Sequence, residues 1–184
     1  YNIHMNLNVI SFSATLALTL ANLLTTADKV MNYTGSIPPK PDQSTIICHD
    51  NNWEVINLSE YQGYRIHKKL LPLMVKMRDT ALQSGINIRI NSAYRTCQEQ
   101  GDLRASACGI GEYNLYYKPI SLCFPPTEPA GKSLHNEGLA VDLACNGYAI
   151  FEYSPCYGWI KEHSAKFHIR QHELEAWHWS TTGK

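Results

Sequence analysis

The chain has no excess of charge of either sign: 16 lysines and arginines stand against 16 aspartates and glutamates. Without a clustered basic surface it lacks the usual electrostatic basis for binding nucleic acid, and no nucleic-acid partner is expected. The one local basic group, Arg65 with His67, Lys68 and Lys69, reads as a solvated helix end. No Cys-x-x-Cys spacing occurs among the six cysteines, which argues against the common sulfur-ligated zinc sites. His168 and His172 are four apart, yet no His-Glu-x-x-His motif forms around them, and both read as surface or supporting residues. There is no internal repeat and no low-complexity tract. Uncharged apolar runs of membrane-spanning length are lacking, apart from Ile10 to Ala27. Serine and threonine interrupt that run and no basic flank precedes it. A packed amphipathic helix is therefore expected there, with a membrane anchor as the second reading. The chain starts at Tyr1 rather than Met, so a trimmed precursor is expected, with membrane or wall anchoring through a missing upstream region left open.

What is present suits one globular domain with an extra segment at one end: 184 residues, of which 44% are hydrophobic. Residues 1–42 are expected to form a helical segment and a Pro-rich linker (Pro38, Pro39, Pro41), with the main domain over 43–184. An even count of cysteines suggests disulfides and an oxidising compartment. Cys145 and Cys156 flank a short segment and are the expected pair. Cys97 with Cys108 is disfavoured if both lie on one straight helix, because about 1.5 Å of rise per residue carries them too far apart.

Short strands are expected at Thr45–Cys48 and Trp53–Ile56, then a helix over Arg65–Ser84 that begins or kinks at Pro72 and stops at Gly85. Ile86–Ile90 alternates as a strand, followed by a polar helix containing Gln98 and Gln100. Residues 109–131, rich in glycine and proline, read as a long loop covering part of a site. Leu139–Cys145 reads as a buried strand, Ala149–His163 as including a short helix, and Phe167–Arg170 and Ala176–Trp179 as strands. The expected fold class is α+β: a small antiparallel sheet with helices packed on it, and an N-terminal helical segment.

Two stretches carry chemistry. In Ser133-Leu-His135-Asn-Glu-Gly138-Leu-Ala-Val-Asp142 a turn at Gly138 would let a loop imidazole and a strand carboxylate face one point. Glu175-Ala-Trp177-His178-Trp179 adds a second carboxylate and imidazole, with both tryptophans on the opposite, core-facing side. His135, Asp142 and His178 are three candidate metal ligands, and Glu175 is a spare base: the inventory of a catalytic zinc site with an open position. Arg95, after a strand, can bind a carboxylate bidentately or face an oxyanion. Each signal alone has a plain explanation: a capped loop, an aromatic strand, a surface ion pair.

Their order is more specific. Ser92-Ala-Tyr94-Arg95-Thr96…Gln100, then Ser133-x-His135-x-x-Gly138-x-Ala140-x-Asp142, then Tyr157-Gly-Trp159, then Glu175-x-Trp177-His178-Trp179 resembles the VanY-type D-alanyl-D-alanine carboxypeptidases, which share a fold with sonic hedgehog's N-terminal domain. The resemblance covers roughly Gln43 to Trp179. It implies one zinc ion per chain on His135, Asp142 and His178, and Glu175 as general base on a zinc-bound water. It further implies Arg95 on the oxyanion or the peptide, with Gln100 and Ser133 supporting, and Tyr94 packed behind the arginine. The implied partner is a peptidoglycan stem peptide, and the setting extracellular, cell-wall or periplasmic. An L,D-carboxypeptidase or a lysin-like endopeptidase would use the same chemistry. A non-catalytic wall-binding module is the rival of another class, and the spare Glu175 argues against it. Two departures stand out: Thr96 where many relatives have Ser, and a Ser180–Lys184 tail without the Arg-Tyr-Val-Gly ending frequent among them.

Overall fold

The computed structural model describes residues 43–49 and 52–184. The helical segment and linker expected over 1–42 lie outside them. The fold is α+β, and among the described residues no helix is long and apolar enough to cross a membrane.

The chain opens with a three-stranded antiparallel sheet of β1 (Gln43–His49), β2 (Asn52–Tyr61) and β3 (Tyr64–His67). The expected first hairpin is present, longer than anticipated, with Gln43 opposite Leu58 and His49 opposite Asn52. β3 is a correction, since a helix was expected from Arg65. Tyr61 pairs with Tyr64, leaving Gln62 and Gly63 as a two-residue turn. Both have positive φ, 54° and 84°, the combination that closes a tight hairpin with the right twist. The basic cluster thus begins on a strand, and His67 is buried rather than part of a solvated helix end.

Helix α1 (Leu71–Gln83) begins where Pro72 allows, because proline in the first turn lacks only an N–H that would have no helical partner. Its Leu71, Met74, Met77 and Ala81 are buried and join the core with Ile88, Val141, Leu143 and Trp179. Gly85, at φ 74°, ends it as expected. The second sheet takes β4 (Ile88–Ser92), β5 (Ala140–Cys145), β8 (Glu175–Ser180) and β7 (Arg170–His172) in the spatial order β4-β5-β8-β7, with β6 (Tyr148–Ala149) hung on β5. All pairings are antiparallel. The strand expected at Phe167 is displaced: residues 164–167 form a 3-10 turn, and His168 at φ 56° turns the chain before β7 starts at Arg170.

Helix α2 (Cys97–Cys108) follows β4, and α3 (Pro155–His163) precedes β7. The expected Cys145–Cys156 disulfide joins β5 to the start of α3. Cys108 pairs with Cys123, not with Cys97, which is itself disulfide-bonded at the other end of α2. That bridge pins the loop over 109–131. The loop is further held by Arg104, fully buried, whose guanidinium donates to the carbonyls of Asn114, Lys118 and Thr127.

Candidate active site

β5 is the strand around which the site is built. Five of its six residues are buried and only Asp142 is part-exposed. A carboxylate in an otherwise apolar strand needs partners. It finds them across the β5–β8 pair, where Asp142 lies opposite His178, and across the β4–β5 pair, where it lies opposite Ser92.

His135 arrives from a 3-10 turn, Leu134–Glu137, whose first backbone groups are held by Ser133 as N-cap: its Oγ accepts from the His135 N–H at 3.3 Å. Gly138 ends the turn in the left-handed region at φ 67°. A Cβ there would sit 2.7 Å from Leu58 Cδ2 and 2.9 Å from the His67 backbone nitrogen. Both the conformation and the space require glycine. The His67 N–H also donates to the Gly138 carbonyl at 3.0 Å, tying the first sheet to the site loop.

The two imidazoles are oriented by backbone carbonyls. His135 Nδ1 lies 2.6 Å from the Ala93 oxygen, and His178 Nε2 lies 2.9 Å from the Lys184 oxygen. A backbone oxygen only accepts, so each of those nitrogens carries a proton, and the other ring nitrogens, His135 Nε2 and His178 Nδ1, face Asp142 and offer a lone pair when the ring is neutral. Burial lowers the pKa of His135, which keeps that ring neutral. The three acceptors form a nearly equilateral triangle: Nε2 to Nδ1 3.2 Å, Nε2 to Asp142 Oδ1 3.2 Å, Nδ1 to Oδ1 3.4 Å. Three lone pairs so close repel one another unless a cation sits between them. Tetrahedral zinc with bonds of about 2.0–2.1 Å requires ligand–ligand edges of about 3.3–3.4 Å. The donor set and its spacing therefore fit such an ion.

Around this triangle the charges are ordered. Asp142 is held well below the usual carboxylate range, against burial, by attraction to positive charge placed at His135 and His178, the place a bound cation would take. Its second oxygen, Oδ2, accepts from Arg95 at 3.0 Å. The other guanidinium nitrogens of Arg95 donate to Gln100 Oε1 (2.7 Å) and Ser92 Oγ (3.3 Å). Gln100 is buried and passes the chain of bonds on to the Glu128 carbonyl at 2.8 Å. Glu175 Oε2 lies 3.7 Å from His178 Nδ1, and burial pushes its carboxyl up to about 7. The residues anticipated from sequence, His135, Asp142, His178, Glu175, Arg95, Gln100 and Ser133, all line one cleft of about 720 Å³.

Sequence reasoning missed several groups. Ser92 holds Arg95, and Asn136 donates to the carbonyls of Arg95 and Thr96 at 2.9 and 3.3 Å. The Ala93 and Lys184 carbonyls carry no residue-type signal at all. His172 stands at the edge of the cleft, with Nδ1 3.8 Å from Glu175 Oε2 and its ring 5.4 Å from that of His178. The Tyr94 ring carries the guanidinium of Arg65 at 4.5 Å. One expectation needs adjusting. Trp177 is half-buried on the cleft wall, while Trp179 alone is in the core. The cause is an irregularity in the β7–β8 ladder: Gln171 faces Trp179, but the next residue, His172, faces Glu175, so strand alternation breaks between them. Thr96 does what a serine would: it caps α2, accepting from the Glu99 N–H at 3.2 Å while Glu99 accepts from the Thr96 N–H at 2.7 Å. The divergent tail folds back so that Gly183 and Lys184 also line the cleft.

A search among curated proteins finds no match to the chain. Among solved structures, VanYB in complex with D-alanine-D-alanine is similar, with TM-score 0.55 and 21% identity over 73% of this chain and 84% of that one. A mutant of the vancomycin-resistance D,D-pentapeptidase VanY in complex with Zn(II) is similar at TM-score 0.52 and 22% identity, covering 77% and 82%. The LD-carboxypeptidase LdcB gives TM-score 0.52 and 21% identity over 77% and 68%. At these identities the likeness establishes the fold. The family profile "VanY: D-alanyl-D-alanine carboxypeptidase" matches residues 62–184, from the β2–β3 turn through both imidazoles to the tail that closes the cleft. The chain belongs to the VanY D-alanyl-D-alanine carboxypeptidase family.

Proposed function

We propose that the chain is a zinc-dependent carboxypeptidase that removes the terminal D-alanine from peptidoglycan stem peptides. The observation that carries this reading is the acceptor triangle of His135, Asp142 and His178 with an uncommitted carboxylate, Glu175, beside it. A site that merely held a metal for stability would need no such base.

His135 through Nε2, His178 through Nδ1 and Asp142 through Oδ1 would hold one zinc ion per chain. When bound, the ion supplies Lewis acidity to a water and to the scissile carbonyl. Glu175 takes the proton of the attacking water and passes it to the leaving amine, and a pKa near neutrality suits both halves of that transfer. Arg95, on the cleft wall, offers its remaining N–H groups to the oxyanion or to the free terminal carboxylate of the substrate. Gln100 and Ser92 aim that guanidinium, and Ser133 lines the same cleft. The ligands of the neighbours, D-Ala-D-Ala on VanYB and Zn(II) on the VanY variant, support the choice of substrate and metal. The disulfides Cys108–Cys123 and Cys145–Cys156 support an extracytoplasmic, wall-facing setting.

The test is hydrolysis of defined penta- and tetrapeptide stems, with and without a chelator, with products identified by mass. Loss of one D-alanine from the pentapeptide, abolished by chelation, is the expected result. Cleavage only of the tetrapeptide would make the protein an L,D-carboxypeptidase like LdcB, and cleavage within the stem an endopeptidase. Activity that survives chelation would contradict the metal mechanism.

A further inference from the structure

A row of aromatic rings leads out of the cleft. Trp177 forms part of the cleft wall. Phe151 meets it edge-on, with centroids 5.8 Å apart at 72°. Tyr153 then stacks on Phe151, centroids 5.6 Å apart and planes within 6°. Tyr153 is 85% exposed and Phe151 40%, so the stack is open to solvent. Water disfavours such bare apolar faces, and a contiguous exposed group of them beside a cleft marks a contact surface.

The stack is also held rigid. Ile150, just before it, is fully buried, and Cys156, just after it, is buried and bridged to Cys145. Between them the turn closes on itself: the Phe151 N–H donates to Ser154 Oγ at 2.9 Å, and the Ser154 N–H donates to the Phe151 carbonyl at 2.8 Å. A short segment anchored at both ends presents two rings with little conformational entropy to lose on binding.

We infer that Tyr153, stacked on Phe151, forms a platform for the glycan strand to which a stem peptide is attached. This rests on the stem-peptide reading above. Two observations select a sugar as occupant. A pyranose ring has one face of C–H groups, which suits the outer, exposed face of Tyr153, and polar edges, which suit a charged neighbour such as the exposed Glu152 next to it in sequence. Distance agrees as well. The four residues left on the glycan after loss of a terminal D-alanine span about 13–14 Å when extended, at roughly 3.3–3.6 Å each. Trp177 adjoins His178 in sequence and lines the cleft, and two ring-to-ring steps of 5.8 and 5.6 Å lead outward from it, so the row extends the cleft by a length of the same order. The cleft then selects the peptide, and the platform selects peptides that are still carried on a sugar.

The experiment compares kcat/KM for the free pentapeptide and for the same pentapeptide on its N-acetylglucosaminyl-N-acetylmuramoyl disaccharide. The wild type should prefer the sugar-linked form by about threefold to tenfold, the range of one aromatic stacking contact. Y153A and F151A should bring the ratio close to one, and Y153F, which keeps the ring, should restore it. A wild-type ratio of one, or a ratio unchanged in Y153A and F151A, overturns the platform. If neither substrate is cut, the stem-peptide reading fails. The platform is then judged separately by tryptophan-fluorescence titration with the uncut disaccharide-pentapeptide. Weaker binding to Y153A than to wild type upholds it, and equal binding overturns it.

Discussion

Arg95 grips Asp142 by the oxygen that faces away from both imidazoles. Its guanidinium lies 3.0 Å from Oδ2, while Oδ1 faces His135 and His178 at 3.2 and 3.4 Å. The arginine therefore orients a proposed ligand as well as bordering the cleft. R95A should lower zinc affinity about 10–100-fold, as loss of an outer-shell partner does, in addition to slowing turnover. R95K keeps the charge but not the planar fork that reaches Asp142, Gln100 and Ser92 together, and should fall between. Competition with a chelating dye checks this. Unchanged affinity in R95A would leave the residue with substrate contacts only.

Glu175 stands differently: it borders the acceptor triangle without being part of it. E175Q should retain zinc and lose about 10²–10⁴-fold in turnover, the usual contribution of a positioned proton-transfer group. Full activity in that variant, measured with the pentapeptide stem, would remove Glu175 as the base.

The same residue gives a pH signature in the metal-free protein. Its folded-state pKa, about 7, is above the ordinary 4.5, chiefly because burial disfavours the charged form. Stability from a raised carboxyl is fully present below the unfolded pKa and is lost as pH rises through the folded one. Urea midpoints with a chelator present should therefore fall between about pH 5 and 8 in wild type relative to E175Q. Parallel curves for the two would contradict the shift.

Gly138 should be intolerant of any side chain. Its φ of +67° and the 2.7 and 2.9 Å contacts a Cβ would make predict a loss of about 1–3 kcal/mol in G138A. For a chain of this size that is about 3–10 °C in Tm. A thermal melt reads it, and an unchanged melt would mean the turn adjusts freely.

Much of the site was legible in sequence because it is local. His135, Gly138 and Asp142 lie within eight positions, and Glu175 and His178 within four. The turn-then-strand geometry follows from where the glycine stands. What was not legible is held by groups without an identity in sequence: the Ala93 carbonyl that sets the His135 tautomer, and the Lys184 carbonyl that does so for His178. Arg104 on a polar helix looks solvated, yet folding buries it under three loop carbonyls. β3 was read as helix because the spacing of Leu70, Leu71 and Met74 extends the helical pattern backward, while the Gln62–Gly63 turn signal just before it carried more weight in the folded chain. Trp177 left the core because the β7–β8 ladder is irregular, and strand alternation assumes a regular one.

The bridge between Cys108 and Cys123 closes a 15-residue loop that forms part of the cleft wall. Its removal in C108S/C123S should cost about 3 kcal/mol on the chain-entropy account. Limited proteolysis should then cut first within 109–131, and cleavage elsewhere at the same rate as in wild type would show that Arg104 alone holds the loop.

If His135, Asp142 and His178 together hold one metal ion, zinc content per chain reads it without reference to activity. Measured on purified protein after zinc loading, wild type and E175Q should carry one zinc, and H135A, D142A and H178A little or none. A full equivalent of zinc in any of those three variants, or none in the wild type, would show that these residues do not form the site.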